Sequence, residues 1–264
     1  MKIIPKKSLG QNFLKDADIV RKIIASANLK ADETIVEIGP GEGALTEELG
    51  RNCKKVIALE IDKHLVEKLR EKFQKKNNIE IIEGDVIEKK FLRLIANRKF
   101  EFKSYRVIAN IPYYITSPII RLFLEAEFPP EEMILMVQKE VAERIAAKPG
   151  QMSILTVSVR YYAEPEILFT VPRAAFCPVP EVDSAVLKIS NFKFRPPDPE
   201  RKKFFRLVRA GFCAKRKTLA NNLSNSLHLD KKNVEEKLSS LNFRPTVRAQ
   251  ELSVENWQKI VELF

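Results

Sequence analysis

Few residues in this chain can build cross-links or metal sites. Three cysteines, Cys53, Cys177 and Cys213, stand far apart in 264 residues. Their odd number and wide spacing fit neither a disulfide framework nor a zinc knuckle, so reduced thiols in a cytoplasmic protein are expected. The two histidines, His64 and His228, have no Cys or His partner at ligand spacing, and no metal is expected. No apolar run approaches the roughly 20 residues of a membrane span. The segment Met1–Gly10 has lysines but no long apolar block, so neither a secretory signal nor a membrane partner is expected. There is no internal repeat and no low-complexity tract.

What is present is a core-forming composition, 45% hydrophobic and 8% aromatic, with a net charge of +11. The charge is unevenly placed. Residues 1–22 carry +4 and residues 195–264 carry +7, leaving the middle neutral. Basic ends around a neutral centre suit a polyanion gripped from the flanks. A merely solubilising basic surface is the alternative.

Apolar, β-branched runs at Glu33–Ile38, Lys55–Glu60, Ile79–Ile82, Tyr105–Ala109 and Glu132–Val137 read as buried strands. Helical patterns lie between them at Ala44–Leu49 and Lys63–Phe73. This alternation predicts an α/β fold with an open parallel sheet covered by helices on both faces. Ile154–Tyr162 and Ser184–Ile189 read as a terminal hairpin closing the sheet. The proline-rich stretch Phe194–Pro199 reads as a stiff linker. It divides the chain into domains at 1–194 and 195–264. Beyond it the pattern is helical, at Lys202–Gly211, Lys217–Leu223, Lys231–Leu238 and Val254–Leu263, with Asp230 and Ser253 as caps of the last two. In the first of these, Phe205, Val208 and Phe212 predict a packed face.

The first strand runs into Gly39-Pro40-Gly41-Glu42-Gly43. Glycines let the backbone turn sharply and approach a ligand. Glu60 ends the second strand about twenty residues on, where an acid can hold ribose hydroxyls. Asp85 follows the third strand and can accept from an adenine amine. Gly39, Glu60 and Asp85 thus meet at one sheet edge, where open α/β sheets bind ligands. The glycine spacing is not that of a dinucleotide fold, and Glu42 disfavours a pyrophosphate. S-adenosyl-L-methionine is therefore favoured over NAD as cofactor.

The fourth strand ends in Asn110-Ile111-Pro112-Tyr113-Tyr114. An adenine amine is a poor nucleophile because its lone pair is delocalised into the ring. The Asn110 oxygen and a backbone carbonyl held by Pro112 can accept its two N–H bonds, which frees the lone pair. Tyr113 can stack on the base. The later loop Phe176-Cys177-Pro178-Val179-Pro180 offers either a second wall for a base or a core aromatic entering the last strand.

With these stretches together, the chain resembles the ribosomal RNA adenine N6,N6-dimethyltransferase family, of the bacterial kasugamycin-sensitivity type. The resemblance rests on residues 7–14 (KSLGQNFL), 36–46 (VEIGPGEGALT), 60–62 (EID), 84–85 (GD), 110–113 (NIPY), 138–144 (QKEVAER), Phe176 with the prolines and Val182-Asp183-Ser184-Ala185 after it, and 215–219 (KRKTL). It implies a Rossmann-like class I methyltransferase sheet with a small C-terminal all-helical domain. It implies cofactor contacts at Asn12, Leu14, Gly39, Glu60, Asp85 and Asn110. Catalysis would fall to Asn110, Pro112 and Tyr113, with Tyr113 and Phe176 at the target base. Separately from the resemblance, residues 201–217 hold eight Lys/Arg and no acid, so RNA or ribosome phosphates are expected at Arg206, Arg209, Lys215, Arg216 and Lys217 in the helical domain. The implied substrate is a pair of adjacent adenosines in the last hairpin of small-subunit rRNA, within an immature 30S-type subunit, acted on by a cytoplasmic monomer. Two departures are Ile111, where the family usually has leucine, and Gln151-Met152, where relatives often have a Tyr-Gly pair.

Overall fold

The computed structural model describes residues 6, 9–98, 104–193 and 198–264, the side chain of Lys89 excepted. Lys2, Lys7 and residues 194–197 of the expected linker lie outside the described residues. The elements run β1 (Phe13–Leu14), α1 (Ala17–Ala27), β2 (Thr34–Ile38), α2 (Ala44–Asn52), β3 (Lys55–Glu60), α3 (Lys63–Phe73), β4 (Ile79–Glu83), α4 (Lys89–Asn97), β5 (Arg106–Asn110), α5 (Thr116–Leu124), β6 (Glu132–Gln138) and α6 (Lys139–Ala146). They continue α7 (Ile154–Tyr162), β7 (Glu164–Val171), β8 (Phe176–Cys177), β9 (Ser184–Ser190), α8 (Asp198–Gly211), α9 (Leu219–Leu227), α10 (Lys231–Ser240) and α11 (Val254–Leu263).

By its contacts the chain divides into two units, one reaching to Ala142 and resuming over Glu164–Phe192, the other Glu143–Ala163 with Lys193–Phe264. The first holds a seven-stranded sheet of order β4-β3-β2-β5-β6-β9-β7. Its first five strands are parallel, and β9 and β7 are added antiparallel. Every residue of β2 is buried, as a strand covered on both faces requires. Ile35, Val36, Val56, Ile57, Val107 and Ile108 are fully buried, each contributing about 1.5–3 kcal/mol by leaving water. Helix starts are set by local chemistry. Asp16 accepts from the N–H groups of Asp18 and Ile19 to cap α1, and Asp62 accepts from His64 to cap α3.

The expected hairpin is corrected in one arm. Ile154–Tyr162 is helix α7, and the true partner of β9 is β7. The β-branched and aromatic run suggested a strand, but Ser153 and Thr156 form a capping box that starts a helix. The Thr156 hydroxyl also donates to the Arg144 carbonyl at 2.5 Å. This segment belongs to the second unit, although the linker placed it in the first domain.

The second unit is helical. Tyr161 of α7 packs on Phe204 and Phe205 of α8, with ring centroids 4.3 and 5.1 Å apart. Trp257 is fully buried, and a Cβ at Gly211 would lie 2.3 Å from its ring, so only glycine lets α8 come this close. The buried face of α8 is Phe204, Leu207, Val208, Ala210 and Gly211. Phe205 and Phe212, expected to carry that face with Val208, are half-buried at its margins. Helix α9 begins at Leu219 rather than Lys217, because the Thr218 side chain accepts from Asn221 and caps it there. The stretch after Gly150 docks in this unit, where the N–H groups of Gly150 and Met152 both donate to the Gln250 carbonyl at 2.9 and 3.1 Å. Among the described residues no helix is long and apolar enough to cross a membrane.

Candidate active site

The strand order reverses direction between β2 and β5, and the site forms at their adjacent C-terminal ends. Gly39, just past β2, has φ +65°, and its N–H donates to the Leu59 carbonyl at 2.9 Å. Gly41 has φ +59°, and a Cβ there would lie 2.9 Å from the Phe13 ring. The turn thus needs glycine both for its conformation and for the close seat of the N-terminal segment. That segment, Leu9–Leu14, lines the cleft together with the glycine turn, Glu60, Asp85 and Asn110–Ile115. It is pinned at several points. Lys6 and Gln11 donate to the Asp62 carboxylate at 2.8 and 3.2 Å, Lys15 pairs with Glu42, and Asn110 donates from Nδ2 to the Asn12 carbonyl at 3.2 Å.

The cleft has a distinct electrostatic character. Glu37, Glu42, Glu60 and Asp85 line it, and no lysine or arginine does among the described residues. Glu60 is buried at the end of β3, where its carboxylate accepts N–H bonds from Gly41 at 3.2 Å and from Ile61 and Asp62 at 3.0 Å. Burial pushes its carboxyl above the usual range, against the pull of those three bonds. Asp62 lies lower than usual. Burial opposes that shift, but hydrogen bonds from Lys6, Gln11 and the His64 N–H, with the Lys6 charge, outweigh it. Asp85 accepts from the Ile87 N–H at 2.9 Å through one oxygen. Glu37 in β2 is fully buried, and its Oε2 accepts no hydrogen bond among the described residues. Burial raises its pKa to about 8, helped by the nearby Glu60 charge.

At the reacting end, the Asn110 amide is fixed by its bond to Asn12, which leaves Oδ1 without a partner among the described residues. The Ile111 carbonyl likewise accepts no hydrogen bond among them, whereas that of Pro112 accepts from Ile115 at 3.2 Å. Tyr113 is half-buried, and its hydroxyl bonds the buried Ser184 Oγ at 2.7 Å. Burial pushes its phenol up, partly offset by that bond. Two acceptors therefore stand free beside an anchored aromatic ring.

Of the expected site residues, Asn12, Leu14, Gly39, Glu60, Asp85, Asn110, Pro112 and Tyr113 all line this one cleft. Phe176 does not. Its ring is 2% exposed within the core, and it pairs in register with Leu14 where β8 meets β1. Of the two readings its loop allowed, the core aromatic is the one this burial fits. Arg206, Arg209, Lys215, Arg216 and Lys217 are all exposed in the second unit, the last three in the turn before α9. Three cleft features were missed in sequence. Glu37 looked like part of an apolar strand. Ile61 and Ile87, one and two residues after Glu60 and Asp85, are 47% and 40% exposed and give the cleft apolar walls. Their only signal was an apolar residue close behind each acid.

Residues 5–264 match the family described as ribosomal RNA adenine dimethylase. A ribosomal RNA small subunit methyltransferase A from Dehalococcoides mccartyi (strain CBDB1) is 43% identical over 97% of this chain and 87% of its own length. One from Geobacillus thermodenitrificans is 44% identical over 94% and 87%. Among solved structures, a dimethyladenosine transferase from Plasmodium falciparum superposes with a TM-score of 0.76 at 28% identity, covering 94% of this chain and 95% of that one. The 23S rRNA methyltransferase ErmE gives 0.72 at 28% identity, covering 96% and 99%. A cleft ringed by carboxylates, with two free acceptors at its reacting end, therefore sits in a chain that belongs to the ribosomal RNA adenine dimethylase family, S-adenosylmethionine-dependent rRNA methyltransferases.

Proposed function

We propose that this chain dimethylates the N6 amines of two adjacent adenosines in the 3′-terminal hairpin of small-subunit rRNA, acting as a cytoplasmic monomer on immature 30S-type subunits. The observation that carries the chemistry is the cleft at the β2/β5 switch point, lined by the Glu42, Glu60 and Asp85 carboxylates, the buried Glu37 acid and no basic side chain among the described residues. A pyrophosphate would be repelled there, whereas a ligand bearing sulfonium and ammonium charges is favoured. The residues fit S-adenosyl-L-methionine. Glu60 can take ribose hydroxyls and Asp85 the adenine amine, with Ile61 and Ile87 as apolar walls. Gly39, Asn12, Leu14 and Asn110 close around the remainder.

S-adenosyl-L-methionine, when bound, supplies a methyl group on a positive sulfur that is already a good leaving group. The chain's own residues then have only to position the amine. Asn110 Oδ1 and the Ile111 carbonyl, held by Pro112, accept its two N–H bonds, which favours a pyramidal nitrogen with a free lone pair. Tyr113 stacks on the base, and the Ser184 bond fixes its ring. Phe176, buried with Leu14 in the core, is given no part in holding the base in this reading.

The same reading assigns 1–194 to methyl transfer and 195–264 to RNA and ribosome binding. Among the described residues, Arg206, Arg209, Lys215, Arg216 and Lys217 pair with no carboxylate in the unit that holds them, which makes their charge available to phosphates. The test is incubation with labelled S-adenosylmethionine and immature small subunits from a strain lacking the modification, followed by nuclease mapping. Label on two adjacent dimethyladenosines near the 3′ end is expected. Label in large-subunit rRNA alone, or none, would overturn the assignment.

A further inference from the structure

Three large apolar side chains of the cleft stand exposed: Ile61, Ile87 and Tyr114, the last at 58%. Ile61 and Ile87 sit beside Glu60 and Asp85, where a bound nucleoside would cover them. Tyr114 follows Tyr113 beyond β5, so a cofactor held by Glu60 and Asp85 would leave it uncovered. The two neighbouring tyrosines diverge. Tyr113 turns inward and anchors its hydroxyl on Ser184. Tyr114 turns outward, and its hydroxyl has no partner among the described residues. Its ring edge rests on Gly10, where a Cβ would come within 3.1 Å of Cδ1 and 3.3 Å of Cε1. The glycine, at φ +58°, thus seats the ring at the rim of the cleft while most of it stays open.

A base can reach Asn110 only by leaving its stack. Its neighbour in the RNA then exposes one face to water, and an open aromatic ring at the cleft mouth can replace the missing partner. We propose that Tyr114 forms a second base subsite, stacking on the nucleotide next to the target adenosine and holding the RNA splayed. This rests on the reading that the target is an adenine in RNA. The subsite is sequence-tolerant, because every base offers a π face. It needs a ring and no hydroxyl.

The experiment compares Tyr114→Ala and Tyr114→Phe with the parent, on substrate RNA carrying either the natural neighbour or an abasic residue there. Tyr114→Ala is expected to lose about 10–100-fold in kcat/KM on intact RNA, mostly through KM, as for the removal of one stacked ring. Tyr114→Phe should match the parent, and S-adenosylmethionine affinity should be unchanged in both. On abasic RNA the parent should fall to the level of Tyr114→Ala, with no further loss in the variant, because the two changes remove one interaction. Binding alone gives a second readout: 2-aminopurine placed beside the target should be quenched by the parent and less so by Tyr114→Ala. Equal losses for Tyr114→Ala on both RNAs, or a parallel loss of cofactor affinity, would overturn the subsite and leave a packing role against Gly10. If the parent methylates no RNA adenine yet quenches the probe through Tyr114, the functional reading fails while the base subsite stands.

Discussion

Asn110 and Asn12, 98 residues apart in sequence, are joined by an Nδ2–H bond to a backbone carbonyl at 3.2 Å. This bond couples the reacting end of β5 to the N-terminal segment that lines the cleft, and it decides which atom of the amide is left to accept. Asn110→Ala removes the acceptor and the tie together. Single-turnover methyl transfer should fall by roughly 10²–10³, the usual loss for one preorganised hydrogen-bonding group. RNA binding, measured separately, should persist. Asn110→Asp keeps an acceptor but sets a carboxylate against the Asn12 carbonyl, so it should also weaken cofactor binding. Near-parental transfer by Asn110→Ala would refute this mechanism.

Glu60 has two tasks, since the carboxylate that faces the cleft also accepts three backbone N–H bonds. Glu60→Ala should lose a charge-assisted ribose bond worth roughly 1.5–3 kcal/mol of S-adenosylmethionine affinity by calorimetry. The melting temperature should fall as well, because the Gly41, Ile61 and Asp62 N–H groups lose their acceptor. NAD should not bind parent or variant. Binding of NAD with no binding of S-adenosylmethionine would overturn the cofactor assignment.

The parts of the fold that could be read in sequence are those where one physical rule dominates. The parallel strands are buried on both faces, so they appear as continuous apolar runs, and the expected β3 and α3 match the observed bounds. Glycines, acids and Asn110 lie at strand ends, which made their convergence legible. Helix α7 was not, because its β-branched residues outweigh in sequence a capping box that uses Thr156 in place of Glu or Gln. The burial of Phe176 depends on pairing between β1 and β8, more than 160 residues apart, which no local pattern encodes. Glu37 is an acid inside an apolar strand, and only the sheet shows that it opens onto the cleft.

That buried acid gives a pH dependence with a definite sign. The Glu37 pKa rises to about 8 in the folded chain, from 4.5 for the ordinary group. A raised carboxyl pKa means the folded state holds the proton more tightly. The stability tied to it is fully present below about pH 4.5 and is lost as pH rises toward 8, at up to about 1.4 kcal/mol per pH unit. Glu37→Gln, which cannot titrate, should flatten this part of the curve. Denaturant midpoints at pH 5, 6, 7 and 8 should therefore converge and then cross in favour of the variant. Parallel curves for parent and variant would show that Glu37 is ionised in the fold.

The basic residues of the helical unit give the last test. Arg206 and Arg209 lie one turn apart on α8 and line a groove with Ser226, His228 and Leu229, while Lys215 and Arg216 occupy the turn before α9. A hairpin oligonucleotide is small, so these residues are expected to bind phosphates of the assembling subunit beyond the methylated loop. The triple change of Arg206, Lys215 and Arg216 to Glu should weaken binding to immature subunits. It should also lower the slope of log affinity against log salt by about one unit for each phosphate that is no longer neutralised. Cofactor affinity should not move, because every residue of the cleft belongs to the other unit. Methylation of a short hairpin should change far less than methylation of subunits, which separates a gripping role from general misfolding. If the variant binds subunits as tightly and with the same salt slope as the parent, the helical unit is not the RNA grip. The N-terminal lysines, Lys2, Lys6 and Lys7, would then be the next residues to change.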